Sequence, residues 1–255
     1  MSTALAVRGV SAGYGARQVL HDVTLPDVPP GSVAAVIGPN AAGKSTLMKA
    51  IAGLLPSTGH MHLGDEDLQT SHKARRAGLV GYLPQSLPAP SGLLAYETVL
   101  GASRASGRKV DAGHIENAFR MLGLEDVALR PVNELSGGKR QLVGLAQVLV
   151  RNPKLLLLDE PTSALDLRWQ IEVLQAIKGT VALFDAVALV CVHDINLAMR
   201  FCDSVIVLAD GHVASSGLPW EAVTPDILRA AWQVEARIEK CSQGYPVIIV
   251  DESVR

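Results

Sequence analysis

The sequence is poor in cysteine. Its three cysteines, Cys191, Cys202 and Cys241, sit apart in the chain and form no C-x-x-C pair. This spacing argues against a disulfide framework and against a cysteine-based zinc site. It favours a protein with buried or surface thiols that works in a reducing compartment.

A marked excess of charge of either sign is also missing. Lysine and arginine total 23 and aspartate and glutamate total 25, so the formal net charge is −2. A protein that coats nucleic acid needs a basic excess, and the composition offers no net electrostatic basis for such a partner. We therefore predict no nucleic-acid partner, although composition alone leaves a local basic patch open.

The sequence has no apolar run long enough to cross a bilayer. The longest, from Val181 to Val192, is interrupted by Asp185 and falls short of the roughly 20 residues that a membrane-spanning helix needs. The segment from Met1 to Gly15 lacks a basic start followed by a long apolar core, so no secretory signal is predicted. We expect a cytoplasmic protein that reaches a membrane only through a partner.

The chain is long and apolar enough for a substantial core. Its 255 residues and hydrophobic content of 48% fit one large domain or two small ones. These values argue against a disordered or fibrous chain, and the sequence shows no repeats or low-complexity tracts.

A phosphate-binding loop is the strongest motif in the sequence, because it fits G-x-x-x-x-G-K-[ST] at every required position. It follows an apolar run expected to be a buried strand, Val33 to Ile37, and precedes an expected helix, Leu47 to Gly53. We expect backbone amides to surround the phosphates, Lys44 to pair with the β- and γ-phosphates and Ser45 to ligate Mg²⁺. The predicted nucleoside triphosphate site consists of Gly38, Pro39, Asn40, Ala41, Ala42, Gly43, Lys44, Ser45 and Thr46.

A second part of the same site is predicted at the end of a leucine run. Leu155 to Leu158 is typical of a buried parallel strand and is followed by Asp159 and Glu160. Open α/β sheets bind ligands beyond the carboxyl ends of their strands, where the loop after Ile37 would also lie. We expect Asp159 to position Mg²⁺ through its water shell and Glu160 to accept the proton of the water that attacks the γ-phosphate.

A glycine-rich segment between these motifs is typical of another phosphate-facing helix start. Ser136 can cap the helix predicted from Leu142 to Val150, and Gly137 and Gly138 expose backbone amides. One triphosphate does not need two such loops. Two copies of the chain arranged head to tail would use both, with each triphosphate between the phosphate loop of one copy and the Ser-Gly-Gly of the other. An ordinary helix cap is the alternative.

The motifs, in this order and over nearly the whole chain, resemble the ATP-binding cassette ATPases. The resemblance implies an α/β fold with a P-loop NTPase core, an inserted helical subdomain and an antiparallel β element. It implies ATP and Mg²⁺ as cofactors, and it makes Ser136, Gly137 and Gly138 part of the signature motif. It also gives roles to four further residues. Tyr14 is expected to stack on adenine, and Gln85 to touch the metal and the attacking water. Asp166 belongs to the D-loop (Ser163 to Asp166) at the dimer interface, and His193 is expected to contact the γ-phosphate.

Two residues depart from the family pattern. Ala41 stands where the family often has glycine, and Lys139 stands where it often has glutamine. Since the loop works mainly through backbone amides, Ala41 is compatible with phosphate binding if its φ is negative. Lys139 is expected to add positive charge near a nucleotide.

The single phosphate loop implies one ATPase domain per chain, and therefore two chains to complete two sites. Within the expected helical subdomain, Ala118 to Leu124 should lie on one helix that leads to a glycine stop, and this subdomain should contact a membrane partner. A late strand is expected at Pro246 to Val250. The expected boundaries are 1–255 for the single domain, 1–85 and 151–230 for the core with its β subdomain, 86–150 for the helical subdomain and 231–255 for a C-terminal extension.

Within the family, the segments from Tyr96 to Gly101 and from His193 to Arg200 resemble importers of iron siderophores, haem and vitamin B12. The resemblance implies a homodimer at the cytoplasmic face of the inner membrane, bound to separate permease subunits and served indirectly by a substrate-binding protein. Two alternatives are a soluble assembly or regulatory ATPase and a nucleotide sensor without turnover. The presence of both Glu160 and His193 argues against the sensor.

Overall fold

Three sheets organise the part of the chain that the computed structural model describes, residues 3–105 and 112–254. The strands are β1 (Leu5–Tyr14), β2 (Arg17–Val23), β3 (Val33–Ile37), β4 (Ser57–Leu63), β5 (Glu66–Asp67), β6 (Val80–Leu83), β7 (Leu155–Asp159), β8 (Val187–Cys191), β9 (Ser204–Ala209), β10 (His212–Gly217), β11 (Val234–Lys240) and β12 (Pro246–Ser253). The helices are α1 (Lys44–Ala52), α2 (Lys73–Leu79), α3 (Ala95–Ala105), α4 (Ala112–Met121), α5 (Gly137–Leu149), α6 (Leu167–Phe184), α7 (Ile195–Phe201), α8 (Pro219–Ala222) and α9 (Pro225–Trp232).

The central sheet has the strand order β10-β9-β3-β8-β7-β6. Neighbours from β9 to β6 are parallel, and β10 adds an antiparallel edge. Strands β3, β7 and β8 are buried on both faces, and alternate residues of β3 and β7 belong to two separate hydrophobic clusters. Burial on both faces explains their continuous apolar sequences. The predicted strands at Val33–Ile37 and at the leucine run are confirmed.

An antiparallel sheet, in the order β2-β1-β4-β5, covers the side of the central sheet that carries α1. The tight turn between β1 and β2 presents Tyr14 beside the phosphate loop. Gly13 is required there, because a Cβ atom would lie 2.2 Å from the carbonyl oxygen of Arg17. This turn therefore fixes the place of the residue expected to stack on adenine.

Helices α3, α4 and α5 pack on the opposite hydrophobic cluster, together with Leu83 of β6. Two helix boundaries differ from the prediction. The helix expected to run through Leu124 ends at Met121, because the chain turns at Gly123, whose φ is +56°. Helix α5 begins at Gly137 rather than Leu142, since Ser136 caps it directly by accepting a hydrogen bond from the Lys139 amide at 3.4 Å. Residues 106–111, within the expected helical subdomain, lie outside the described residues.

The helix after the phosphate loop also starts early, at Lys44 rather than Leu47, with Gly53 as its C-cap. At the other end of the chain, the late strand is longer than predicted and pairs with β11 as a two-stranded hairpin. Among the described helices, none is both long and apolar enough to cross a membrane.

Candidate functional site

The predicted motifs meet at the carboxyl edge of the central sheet. Because β3, β6, β7 and β8 run parallel, the segments that follow them emerge at one edge. A cavity of about 640 Å³ opens there. It is lined by Tyr14, Arg17, Val19, Asn40, Ala41, Ala42, Gly43, Lys44, Ser45, Thr46, Gln85, Glu160 and His193.

Two glycines give the phosphate loop its shape. Gly38 and Gly43 have φ values of 152° and 103°, and a Cβ atom on Gly38 would lie 2.1 Å from the carbonyl oxygen of Leu208. The Lys44 ammonium donates to the carbonyl oxygens of Gly38 and Pro39 at 2.7 and 2.9 Å. Within the described chain these neutral oxygens are its hydrogen-bond partners, so its positive charge has no paired carboxylate. The loop fits a phosphate group.

Ala41 does not meet the backbone condition set for it in the sequence analysis. Its φ is +64°, in the left-handed region, and not negative. Glycine reaches this region freely, whereas an L-residue pays about 1 to 2 kcal/mol there. The loop therefore keeps the backbone shape that suits the family's glycine, and the alanine absorbs the strain.

The position expected to hold Mg²⁺ pairs a hydroxyl with a carboxylate. Ser45 Oγ donates to Asp159 Oδ1 at 3.1 Å, and Asp159 is 1% exposed. Burial raises the pKa of Asp159, while hydrogen bonds from Ser45 and from the Cys191 thiol oppose the rise. These hard oxygen donors suit Mg²⁺. The described residues contain no cluster of three or more His, Cys, Asp or Glu side chains that could hold a metal, so phosphate oxygens and water would have to complete the coordination.

The side chain of Glu160 is held from both sides. Gln85 Nε2 donates to Glu160 Oε2 at 2.7 Å, and His193 Nε2 lies 2.6 Å from Oε1. Glu160 is 6% exposed and has a φ of +56°, so packing and these two contacts fix a strained backbone. The Gln85 side chain therefore hydrogen-bonds Glu160 and not the Ser45–Asp159 pair.

The glycine-rich segment lies away from this cavity. Ser136, Gly137 and Gly138 line a separate cavity of about 430 Å³ together with Asp166 and Trp169. Asp166 caps α6 by accepting a hydrogen bond from the Trp169 amide at 3.1 Å. One chain therefore brings Tyr14, the phosphate loop, Gln85, Asp159, Glu160 and His193 together, and it leaves the signature segment and Asp166 apart from them.

Residues 20–163, which carry the phosphate loop, Gln85, the signature segment and the acidic pair, match the model of the ABC transporter family. The chain belongs to the ABC transporter family. This confirms the resemblance and the ATPase class that it implied.

Relatives of this ABC protein include import ATP-binding proteins. It is 35% identical to the iron(3+)-hydroxamate import ATP-binding protein FhuC of Bacillus subtilis, over 92% of this chain and 89% of the relative. It is 37% identical to the hemin import ATP-binding protein HmuV of Bordetella avium, over 92% and 94%. It is 33% identical to the cobalamin import ATP-binding protein BtuD of Halobacterium salinarum, over 92% of this chain and 60% of that protein.

Solved structures agree on the fold of this ABC protein. An ATP-binding cassette dimer in a post-hydrolysis state, bound to ADP and Pi, superposes with a TM-score of 0.75 at 26% identity, covering 84% of this chain and 98% of that one. A metal-chelate type ABC transporter in an inward-facing conformation gives 0.80 at 23% identity, covering 98% of both chains, and at that identity supports the fold alone. The expected P-loop NTPase fold is confirmed.

The cavity of this ABC protein also contains residues that the sequence motifs missed. Arg17 and Val19 line it between Tyr14 and the phosphate loop. Tyr14 itself is 48% exposed, with its hydroxyl 3.5 Å from Lys49 Nζ. Arg17 had a signal in the sequence, a cation placed shortly after the aromatic residue, but only the turn between β1 and β2 brings it to the loop.

Cys191 was also missed, since nothing in the sequence shows its neighbour. It pairs with Asp159 in the register of β7 and β8 and hydrogen-bonds the Asp159 carboxylate. Burial raises the pKa of this thiol well above its usual value, which keeps it protonated. In agreement with the sequence, all three cysteines are free thiols.

The Lys139 ammonium has partners within its own chain. It donates to the carbonyl oxygen of Gly123 at 2.7 Å and lies 3.1 Å from Asp126 Oδ1. The charge is thus neutralised inside the chain, next to the helical segment, because a carbonyl and a carboxylate lie within its reach. Lys139 nevertheless lines the same cavity as Ser136, Gly137 and Gly138.

Proposed function

We propose that this chain is the ATP-hydrolysing subunit of an importer that takes up an iron complex, haem or vitamin B12 through a separate membrane permease. The observation that carries the hydrolytic part is the pairing of Glu160 with Gln85 and His193 beside Lys44 and Ser45. Support for the cargo class comes from relatives named for import of iron(3+)-hydroxamate, hemin and cobalamin.

In the proposed reaction, Glu160 is the general base. Its buried carboxylate accepts a hydrogen bond from Gln85 on Oε2 and lies 2.6 Å from His193 Nε2 on Oε1, and its remaining lone pairs can accept a proton from the attacking water. Gln85 and His193 would orient water and the γ-phosphate, and Lys44 would leave two carbonyl oxygens to pair with the phosphates. Mg²⁺, held by Ser45 and Asp159, would supply neutralisation of phosphate charge.

The active form is proposed to be a homodimer with two composite sites. The signature segment and Asp166 lie in their own cavity, apart from the phosphate loop of the same chain. A head-to-tail pair would bring the free amides at Gly137 and Gly138, at the N-terminus of α5, to the triphosphate of the other copy. Cleavage of the γ-phosphate would then remove a bridge between the copies and favour opening of the dimer.

A cleft beside Gln85 is proposed as the permease site. It has a volume of about 470 Å³, and Leu87, Pro88 and Pro90 form an apolar wall directly after Gln85. Gln141, which is 6% exposed, also lines it, and its side-chain nitrogen has no hydrogen-bond partner in the described chain. A backbone carbonyl of a short permease segment could accept a hydrogen bond from that nitrogen. The segment would then lie next to Gln85, which hydrogen-bonds Glu160.

This arrangement puts the chain at the cytoplasmic face of the cell membrane, as a peripheral subunit. The substrate-binding protein would act on the other side and would meet only the permease. The cargo would then never touch this chain, so its identity has to be read from the permease.

The test is affinity capture from detergent-solubilised native membranes. Tagged Glu160→Gln protein is incubated with ATP, captured and examined by mass spectrometry, with Lys44→Ala protein as the matched control. We expect Glu160→Gln to bind ATP without turnover and to recover a multi-helix permease, whose sequence narrows the cargo. Lys44→Ala should lose ATP affinity by calorimetry.

Two outcomes contradict the proposal. Glu160→Gln protein that keeps most of its hydrolysis would remove Glu160 as the base. Protein that binds ATP and dimerises, yet recovers only soluble partners, would identify a soluble assembly ATPase.

A further inference from the structure

Lys139 has an unexpected environment at the start of α5. A cation in the first turn of a helix opposes the helix dipole, so its placement there needs a compensating interaction. Two acceptors supply it, the Gly123 carbonyl and the Asp126 carboxylate. The ammonium also lies 5.0 Å from the centre of the Trp169 ring, on the α6 side. Only 23% of the side chain is exposed, so these contacts are partly shielded from water.

Trp169 contacts three segments: the turn after α4, the D-loop and the start of α5. A Cβ atom on Gly123 would lie 2.6 Å from Trp169 Cη2, so the turn after α4 rests directly on the ring. The Trp169 amide is fixed to Asp166, the last residue of the D-loop. The ring is thus anchored beside the D-loop, and Lys139 directly follows the signature segment in the chain.

The signature segment and the D-loop also touch each other directly. A Cβ atom on Gly138 would lie 3.1 Å from Leu165 Cδ2 and 3.2 Å from the Ala164 carbonyl oxygen. Lys139 and Trp169 line the same cavity as Ser136, Gly137 and Asp166. A contact between Lys139 and Trp169 therefore sets the orientation of the Gly137 and Gly138 amides relative to Asp166.

We propose that Lys139 is a positioning residue: through Trp169 it fastens the signature segment (Ser136–Gly138) to the D-loop (Ser163–Asp166) of the same chain, so that both reach the other copy's nucleotide as one rigid surface. This inference rests on the proposed homodimer. It assigns the lysine to orientation of the amides, and not to a charge contact with the nucleotide.

The experiment measures ATP-driven dimerisation by sedimentation in the Glu160→Gln protein. Lys139→Gln should raise the ATP concentration for half-maximal dimerisation by about three- to tenfold, the size expected for losing a partly shielded cation–π contact. Trp169→Leu should give a similar rise, and the double variant should be no worse than either single one, since both remove the same contact. Lys139→Arg should restore most of the affinity, because it keeps the cation and the stacking.

A matched control separates this contact from the exposed ion pair. Asp126→Asn removes only the carboxylate that pairs with Lys139, which is 68% exposed. It should change the ATP concentration for half-maximal dimerisation by less than about twofold. Affinity of each monomer for ATP should stay unchanged, because the phosphate loop is elsewhere. If Trp169→Leu lowers the melting temperature of the protein, Trp169→Phe, which keeps an aromatic ring, is used instead. It then takes the place of Trp169→Leu both as a single variant and in the double variant with Lys139→Gln.

Two results would overturn the inference. If Lys139→Gln impairs dimerisation and Trp169→Leu does not, the ammonium acts on the nucleotide itself. If the two substitutions raise the ATP concentration for half-maximal dimerisation additively in the double variant, the ammonium again acts independently of Trp169.

Hydrogen exchange of the nucleotide-free monomer tests the contact without any dimer. Lys139→Gln should speed exchange in residues 136–142 and in residues 164–170 together, whereas a change confined to the first segment contradicts the proposal. If the parent Glu160→Gln protein does not dimerise with ATP, the proposed function fails, and the exchange result still decides the role of Lys139.

Discussion

At the scale of single residues, the site concentrates backbone strain in two places. Ala41 and Glu160 both adopt positive φ values, +64° and +56°, although neither is glycine. Strain of this kind persists only where the surrounding contacts fix the conformation. For Glu160 those contacts are Gln85 and His193, which also set the direction of the carboxylate. For Ala41 the conformation belongs to the loop that Lys44 fixes through the carbonyls of Gly38 and Pro39, and the alanine methyl group adds a cost to stability there.

Ala41→Gly should therefore stabilise the protein. The substitution relieves a left-handed alanine but adds unfolded-state entropy, and we expect a net gain of about 0.5 to 1 kcal/mol in the free energy of unfolding. Urea denaturation measures it, and calorimetry should find ATP affinity within about twofold of the parent. Ala42→Gly is the control: Ala42 is 3% exposed and is not among the residues with positive φ, so glycine there should destabilise. Equal losses from both variants would contradict the strain argument.

The sequence predicted which residues come together at the candidate site better than it predicted their conformations. The order of the motifs was enough to bring Lys44, Asp159 and His193 to one sheet edge, because parallel strands end together. The φ of Ala41 and the direction of the Lys139 ammonium depend on neighbours distant in sequence, such as Gly123. Pattern alone cannot contain such information.

At the scale of elements, the buried strands were predicted accurately and the helix starts were not. Strand β3 is apolar throughout because both its faces are covered, which is visible in the sequence. Helices α1 and α5 begin inside glycine-rich segments that look like loops, and only the caps at Gly43 and Ser136 reveal the true starts. Cap geometry, and not apolar period, fixed those boundaries.

The C-terminal hairpin is attached to the helix that follows His193. The Asn196 side chain on α7 accepts from the Ile248 amide at 2.7 Å and donates to the Ile248 carbonyl at 3.3 Å, as a neighbouring strand would. Arg200 of the same helix stacks 5.1 Å from the ring of Tyr245 in the hairpin turn. The hairpin is thus joined to α7 through both polar and stacking contacts.

Asn196→Ala should loosen that attachment. It leaves the partly buried amide and carbonyl of Ile248 without their partner, and we expect a loss of about 1 to 3 kcal/mol in the free energy of unfolding. Hydrogen exchange should also speed up at Ile248. Asn117→Ala, which removes an exposed asparagine of α4, serves as the control and should stay within about 0.5 kcal/mol of the parent. Similar small effects from both variants would show that the hairpin is held by packing alone.

At the scale of the whole molecule, the residues of the proposed nucleotide site fall into two groups on one chain. The phosphate loop, acids and histidine share one cavity, and Ser136, Gly137 and Asp166 share another. Each group is built from rigid elements, yet the two open on separate cavities of the same chain. If two copies complete each other, the two groups at one site must come from different chains, and defects in different groups must be complementable.

Mixing two defective variants tests that requirement. Lys44→Ala disables the phosphate loop, and Gly137→Asp puts a carboxylate where the amides would meet a phosphate, at a position where a Cβ atom has no neighbour within 4 Å and the fold is spared. In the Glu160→Gln background, each variant alone should stay monomeric with ATP, whereas the mixture should form heterodimers with one complete site and about one bound ATP per pair. Dimers from Gly137→Asp alone, or none from the mixture while the parent dimerises, would mean that each site is completed within its own chain.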